Sequence, residues 1–573
     1  MRRMIRSFSK FLPALAVSAG LAAPTALACT SLLVSKGASA DGSTFITYAA
    51  DSHELYGELY YTPARRNAAG AQRDIFEWDT GKFLGRIPEA PVTYSVVGNM
   101  NEHQLSISES TFSGRKELEA PNGIIDYGSL MYIGLERAKT AREAIQVMTS
   151  LLAEHGYAST GESFSIADPK EAWILELIGK GEGTKGVVWV ARRLPEGYLS
   201  AHANQARIRQ FPLKDPETTL YSPDVISFAR EKGWFTGADK DFSFADTYHP
   251  LDFEGARFAE ARVWSIFRRA APSLGLGVES VNGSDPSKRL PLWVKPERKV
   301  SVQDVMGLMR DHFEGTALDM SKDVGAGPYA VPYRWRPMTW EVDGKKYVHE
   351  RAISTQQTGF SFVAQMRSWM PAPVGGVLWF GVDDTYTTVY TPMYAGIRRA
   401  PKNFAQGVAH RGQFSWDSSF WVFNWVSNQA YARWSDMIVD VRKTQGELEG
   451  QFLADQADIE KVALELYKTT PEQARTYLTD YSVQQGEKVH TRWRHLGEQL
   501  LVKYIDGNVR DESGKVNHPA YPDSWYRRIV RDAGDTLAMP AEKTPGPKPT
   551  PPAPAATPPA PPAQPKPTVA PPQ

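Results

Sequence analysis

A single cysteine, Cys29, stands in a chain of 573 residues. No intramolecular disulfide can form, so stability has to come from core burial instead of covalent staples. Zinc sites built on cysteine pairs are excluded as well. The eleven histidines contain no H-E-x-x-H, and His53, His202 and His410 lack ligand spacing, so no metal or other cofactor is expected. Net charge is also missing: 65 Lys and Arg balance 65 Asp and Glu, which leaves no electrostatic footprint for nucleic acid. No G-x-S-x-G elbow offers a serine nucleophile. No stretch is apolar for the ~20 unbroken residues that a membrane span requires. The one dinucleotide-like motif, Gly181-Glu182-Gly183-Thr184-Lys185-Gly186, runs into the strand-like VVWVARR where a helix is required, so its glycines read as a hairpin loop.

The apolar segment at the amino end has another purpose. Arg2, Arg3, Arg6 and Lys10 precede an apolar stretch over 11–27 that Pro13, Ser18, Pro24 and Thr25 interrupt, and Ala26 and Ala28 are the small residues signal peptidase reads. Residues 1–28 are therefore expected to be a signal peptide, and the mature protein to be exported to the periplasm or the exterior without a transmembrane segment. Removing the leader deletes four basic side chains and leaves a slightly acidic chain. At the other end, 541–573 hold 14 of the 41 prolines among Ala, Thr, Lys and Gln; this tail cannot form a core and is expected to be disordered or extended. Between the two, 16 Trp, 24 Tyr and 24 Phe supply ample apolar area for an extensive core.

Strand patterns fall at 30–34 and 44–51, around the turn-rich SKGASADGS, and at 163–167 and 172–178 around Asp168-Pro169-Lys170. A second hairpin is expected from 187–193 and 198–203 around Leu194-Pro195-Glu196-Gly197. Two helices should occupy 127–155, with Thr140 and Glu143 spaced for a capping box. Further on, VQDVMGLMRDHF is amphipathic, strands are expected at 377–380 and 387–390, and helices at 422–450, 452–468 and 471–505, the last opened by Thr470-Pro471. Runs of strands flanked by runs of helices favour an α+β fold over a doubly wound sheet. The folded domain is expected to cover 29–540, with a helical C-terminal part over about 415–540.

Leader removal would make Cys29 residue one, placing a thiol and a free α-amine on one residue. Such an amine titrates near ~8 and can take the thiol proton, so nucleophile and base come together. Lipidation at a lipobox is the competing use of Cys29. Against it, Ala26 stands where a lipobox prefers a branched aliphatic residue, and a strand begins at once where an anchor needs a tether. Asp51, ending the second strand, can turn back to hold the α-ammonium. Asn204, ending the strand that includes His202, can donate to an oxyanion.

Several blocks carry a resemblance. CTSLLVSKGASADGSTFITYAADSH, GESFSIADPKEAWILELIG, WVARRLPEGYLSAHANQARI, EGTALDMSKDVGAGP, ISTQQTGFSFVAQMRSWMP and GGVLWFGVDDTYTTVYTPMY, in this order from Cys29 to about Gly507, resemble the dipeptidases of peptidase family C69 in the N-terminal nucleophile hydrolase superfamily. The resemblance implies a four-layer αββα core of two antiparallel sheets between helices, with the C-terminal helices as an elaboration. It also implies metal-free hydrolysis of dipeptides, with Cys29 as nucleophile, Asp51 orienting the N-terminus and Asn204 at the oxyanion. Many relatives carry Arg three positions before that Asp, whereas this chain has Tyr48; Arg207 or another basic residue is the expected substitute. Small peptides are the expected partners, with Glu109, Glu162, Glu176 and Arg207 as candidates to hold their termini, and self-association is left open. The alternatives are an acyl-amide hydrolase of the penicillin, bile-salt or acyl-homoserine-lactone type on the same fold, and a lipid-anchored surface protein without activity.

Overall fold

A computed structural model describes residues 29–52, 56–285 and 287–541. The expected leader, His53 and the Pro-rich tail past residue 541 lie outside the described residues. Contacts divide the chain into Met1–Pro519 and Ala520–Gln573.

In the first unit the strands are β1 Ser31–Val34, β2 Thr44–Asp51, β3 Tyr61–Thr62, β4 Val96–Val97, β5 Met100–Asn101, β6 Ser106–Phe112, β7 Gly161–Ala167, β8 Ala172–Gly179, β9 Val187–Arg193, β10 Leu199–His202, β11 Thr219–Tyr221, β12 Trp293–Val294, β13 Thr358–Met366, β14 Val377–Val382 and β15 Thr391–Tyr394, besides short hairpins at the periphery. They form a seven-stranded sheet in the order β12-β10-β1-β2-β13-β14-β15 and an eight-stranded sheet in the order β11-β9-β8-β7-β6-β5-β4-β3. Every pairing within these two sheets is antiparallel. The expectation of an α+β chain with antiparallel sheets is met.

The sheets meet face to face, β2 lying against β6, β7 and β8. Helices α1 Tyr127–Arg137 and α2 Ala141–His155 cover the eight-stranded sheet. Helices α3 Ala261–Ala270, α4 Val302–Leu308, α5 Ser419–Ala432, α6 Trp434–Thr469 and α7 Pro471–Lys503 pack against the seven-stranded one. Strand β8 shows the resulting two-sided burial. Trp173, Leu175 and Leu177 join the cluster made with α1 and α2, while Ala172, Ile174 and Ile178 join the core shared with the other sheet, as a two-residue period requires. Polar ties cross the interior too. Buried His202 of β10 bonds Ser110 Oγ at 2.6 Å and Ser165 Oγ at 2.8 Å, and burial with the Arg207 and Arg262 charges brings it down to about 3, leaving a neutral imidazole.

Local chemistry explains several boundaries. Thr140 caps α2 by accepting the Glu143 amide, and the Glu143 carboxylate accepts the amide of Lys139, one residue earlier than in a capping box. Ser301 and Asp304 form a full capping box on α4.

Three expectations are corrected. The segments 187–193 and 198–203 do not form a hairpin: β9 pairs with β8 and β11, while β10 crosses to the other sheet and pairs with β1. Pro195 and Gly197, with φ of 82°, turn the chain, and Ser35 Oγ accepts the Gly197 amide and holds the crossing in place. Residues 387–390 are not a strand. The Thr387 and Thr388 amides fold back onto Asp384 O, and pairing starts at Thr391. Finally, α6 runs unbroken through Gly446 and Gly450, and the interruption falls at Arg433 (φ −148°). A glycine inside a helix costs only about 1 kcal/mol, and α6 is anchored along its length by the buried pairs Arg310–Glu449 and Arg367–Glu460. Within the second unit the described residues form a helix, α8 Asp523–Ala533. Among the described residues no helix is long and apolar enough to cross a membrane.

Candidate active site

Strand β1 pairs directly with β2, and its register decides what surrounds Cys29. Thr30 exchanges both backbone bonds with Ala49, and Leu33 lies opposite Ile46. The same register carries Cys29 opposite Ala50, one step from Asp51. The thiol is 2 % exposed. Its Sγ lies 3.2 Å from Glu109 Oε1 and 3.5 Å from Tyr48 Oη, and the Tyr48 hydroxyl itself donates to Glu109 Oε1. Burial, and then the negative fields of Glu109 and Asp51, push the thiol well above its ordinary range, with the Tyr48 bond acting in the opposite direction.

Arg262 ties the neighbourhood together from the first turn of α3. Its Nη1 donates at 2.8 Å both to Cys29 O and to Thr30 Oγ1, its Nη2 to Asn204 Oδ1 at 2.7 Å and Ala203 O at 3.2 Å, and its Nε to Phe258 O at 2.8 Å. The side chain is fully buried, and burial lowers its guanidinium to about 10, so it is charged at neutral pH. Asn204 follows β10 in the left-handed region, at φ 62°, a conformation that asparagine tolerates better than most residues. Its Nδ2 donates to Thr111 O at 2.6 Å. Asn204 thus spans the two sheets while Arg262 joins it to the start of β1.

Asp51, 1 % exposed, accepts the Thr358 hydroxyl at 2.6 Å on Oδ1, whereas Oδ2 is buried with no partner. Burial lifts its carboxyl to about 7, opposed by the Thr358 bond and by the Arg351 and Arg262 charges. On the Glu109 side, Glu162 accepts the Thr111 hydroxyl at 3.1 Å on Oε2 and leaves Oε1 unpaired, and Asp79 accepts the Tyr127 hydroxyl at 3.1 Å. Burial and the mutual repulsion of these acids raise Glu162 well above the carboxylate range and Asp79 to about 6.

Five of the seven residues singled out from sequence therefore converge: Cys29, Asp51, Asn204, Glu109 and Glu162. Glu176 and Arg207 are engaged elsewhere. Glu176 accepts the Arg207 and Ile208 amides at 2.6 and 3.0 Å and shapes the loop after Asn204. Arg207 pairs with Glu260 at 2.8 Å and donates to Ala201 O and Pro291 O, both at 2.7 Å. It is not the substitute for the cation expected in place of Tyr48. Tyr48 instead packs its ring edge-on against Phe360 and Phe362, with centroids 5.6 and 5.8 Å away, and turns its hydroxyl to Glu109.

Sequence reasoning passed over Arg262, Arg351, Thr358 and Asp79. Arg262 carried a faint signal, a cation on an otherwise apolar helix face between Phe258 and Ile266. Thr358 meets Asp51 307 residues away and Asp79 meets Tyr127 48 residues away, separations that no local pattern reports.

The model of Peptidase family C69 matches residues 72–447, a stretch that contains Glu109, Asn204, Arg262 and Arg351 but neither Cys29 nor Asp51. A probable dipeptidase of Salmonella dublin is 26% identical over 398 residues, covering 65% of this chain and 82% of its own. A probable dipeptidase B of Streptococcus pyogenes serotype M1 is 22% identical over 497 residues, 83% of this chain and 93% of its own. A dipeptidase of Bifidobacterium longum (strain NCC 2705) is 25% identical over 423 residues, 65% and 72% of the two chains.

Proposed function

The chain belongs to peptidase family C69, and from that premise we propose an exported dipeptidase whose nucleophile is Cys29, freed as residue one when residues 1–28 are removed. The observation that carries this reading is the buried Cys29 thiol at the head of β1, with Asn204 and its neighbouring carbonyls held by Arg262 and a half-unpaired Asp51 one register step away. Two antiparallel sheets face to face between helices also suit the N-terminal nucleophile hydrolase superfamily. A thiol buried at the start of an inner strand is a poor site for a lipid anchor, which needs a tether.

The reaction begins when the freed α-amine takes the Cys29 thiol proton and sulfur attacks the scissile carbonyl carbon. Because nucleophile and base share a residue, no separate cation is needed at the Tyr48 position: the α-ammonium supplies the positive charge beside the thiolate. Asp51 Oδ2 holds that ammonium, which also relieves the cost of its own buried charge. Asn204 stabilises the tetrahedral oxyanion, a contribution of about 3 kcal/mol for one well-aimed donor. The C–N bond breaks as the α-ammonium returns its proton to the leaving amine, leaving a thioester on Cys29. Water, deprotonated by the α-amine, attacks the thioester carbon, the S–C bond breaks, and the thiol is restored. The acidic group of Glu109, Glu162 and Asp79 is the counterpart for the α-ammonium of the substrate's first residue.

The test is a substrate panel on processed protein whose N-terminal Cys29 has been verified by intact mass. Dipeptides should exceed penicillin V, glycine-conjugated bile acids and acyl-homoserine lactones by at least about tenfold in kcat/KM, a difference of 1.4 kcal/mol in transition-state binding. Preference for any of those acyl amides would replace this reading with the acyl-amide one.

A further inference from the structure

We infer that Arg351 is the specificity-determining residue that receives the α-carboxylate of the substrate's second residue, an inference that rests on the dipeptidase reading. Arg351 is 9 % exposed, and its Nε and Nη2 are buried with no hydrogen-bond partner. A guanidinium presents five donors in a fixed fork, and leaving two of them unsatisfied in the interior is costly unless something arrives to take them. The two free nitrogens are adjacent in the fork, and adjacent donors match a carboxylate in a bidentate pair.

The side chain lines a cleft with Tyr333, Arg336, Ser354 and Gln357. Its segment is fixed at both ends: Glu350 pairs with Arg257, and Ser354 bonds Asp311 O through its amide and Asp384 through its hydroxyl. Seven residues on, Thr358 bonds Asp51. Arg351 is thus held in place without any of those contacts using its own free donors.

The charges around Cys29 fall into two groups. Arg351 lies in the fields of Arg262, Asp51, Arg336 and Cys29. Glu109, Glu162 and Asp79 act on one another, and Glu109 on the thiol. Cys29 is common to both groups, so a cluster of cations and a cluster of acids both reach the proposed nucleophile. Asp51 attracts Arg351 but makes no ion pair with it, its described side-chain bond being to Thr358, so the Arg351 donors stay open. Two added cations, Arg262 and Arg336, make the cationic cluster unfavourable when empty and receptive to an anion. A dipeptide spans at most about 7 Å between charged ends of opposite sign. Clusters of this kind accept it whole, and a third residue would place a neutral amide at Arg351.

The experiment compares a dipeptide with its C-terminal amide on processed wild type, R351Q and R351K. Wild type should favour the free carboxylate by about 30-fold or more in kcat/KM, the scale of losing one partner of a buried charge pair. R351Q should raise KM for the dipeptide by a similar factor, leave kcat within about threefold, leave the amide unchanged and so bring the ratio near one. R351K, which keeps the charge and loses the fork, should fall between. A melting temperature unchanged in R351K shows that the fold is intact even if R351Q is unstable. Equal losses on dipeptide and amide in both variants, or an unchanged ratio, would overturn the assignment. Should wild type ignore dipeptides and cleave acyl amides, the dipeptidase reading fails on its own. The same comparison between an N-acyl-glycine and its amide then decides the role of Arg351.

Discussion

Replacing Arg262 by methionine tests the site at its most connected point. The substitution keeps an unbranched apolar stem and deletes donors to five described acceptors: Cys29 O, Thr30 Oγ1, Ala203 O, Asn204 Oδ1 and Phe258 O. Each buried acceptor left unpaired costs about 1–3 kcal/mol, but the protein no longer bears the desolvation of a buried cation, worth several kcal/mol. The net destabilisation should therefore be about 3–5 kcal/mol, the range for removing one partner of a buried ionic network. At about 2.1 cal/mol/K per residue, an unfolding entropy near 1 kcal/mol/K for roughly 500 residues converts this to a Tm lower by about 4 °C. Activity should suffer more than stability, because Asn204 loses the bond that orients its amide; kcat should fall about 10²-fold or more with KM little changed. R262K, with three donors for five acceptors, should recover part of the Tm and little of kcat. Calorimetry and steady-state kinetics on processed protein read both effects. An R262M protein with Tm within 1 °C of wild type and kcat within twofold would refute the view that Arg262 organises the site.

Three other outcomes follow from the structure. Cys29→Ala should leave the melting temperature nearly unchanged and lower dipeptide hydrolysis by at least about 10³-fold, and in the uncleaved chain the Cys29 thiol, buried and raised, should react with iodoacetamide far more slowly than free cysteine, as followed by intact mass. Glu176 gives a pH signature. Burial raises its carboxyl from 4.5 to about 7, so the folded state holds a proton that the unfolded chain has released between those values. Its contribution to stability is therefore present below pH 4.5 and lost as pH rises to 7, up to about 3 kcal/mol. Relative to wild type, Glu176→Gln should be more stable at pH 8 than at pH 4.5 by a difference of that order in urea titrations, and an unvarying difference would contradict the assignment.

How much of this was legible beforehand differs element by element. Strands 30–34, 44–51, 163–167 and 172–178 were readable because their patterns are local and bounded by turn residues. The α1 and α2 pair was readable from helical spacing and Thr140. The second hairpin was not, because Leu194-Pro195-Glu196-Gly197 encodes a reversal without specifying which sheet the next strand joins. The break in α6 was misplaced because Gly450 looks like a stop, while the buried pairing of Glu449 with Arg310 and Glu460 with Arg367 overrides a small propensity cost. In the site, Cys29, Asp51 and Asn204 were found from position and resemblance, and Glu109 and Glu162 as carboxylates only. Arg207 was a reasonable choice by charge and a wrong one by geometry, since Glu260 and three carbonyls already hold it.

The sequence by itself determined that one thiol is available at position 29, that no intramolecular disulfide can form, and that runs of strands flanked by runs of helices give an α+β chain. Those are properties of composition and short-range spacing, which need no knowledge of distant contacts. Only the tertiary structure decided that Glu109 and Tyr48 face the thiol, that Arg262 and not Arg207 braces the start of β1, and that Arg351 keeps two donors unpaired. Each of these depends on residues tens to hundreds of positions apart, brought together by register and burial. Charge in a buried site is set by such neighbours, which no local pattern encodes.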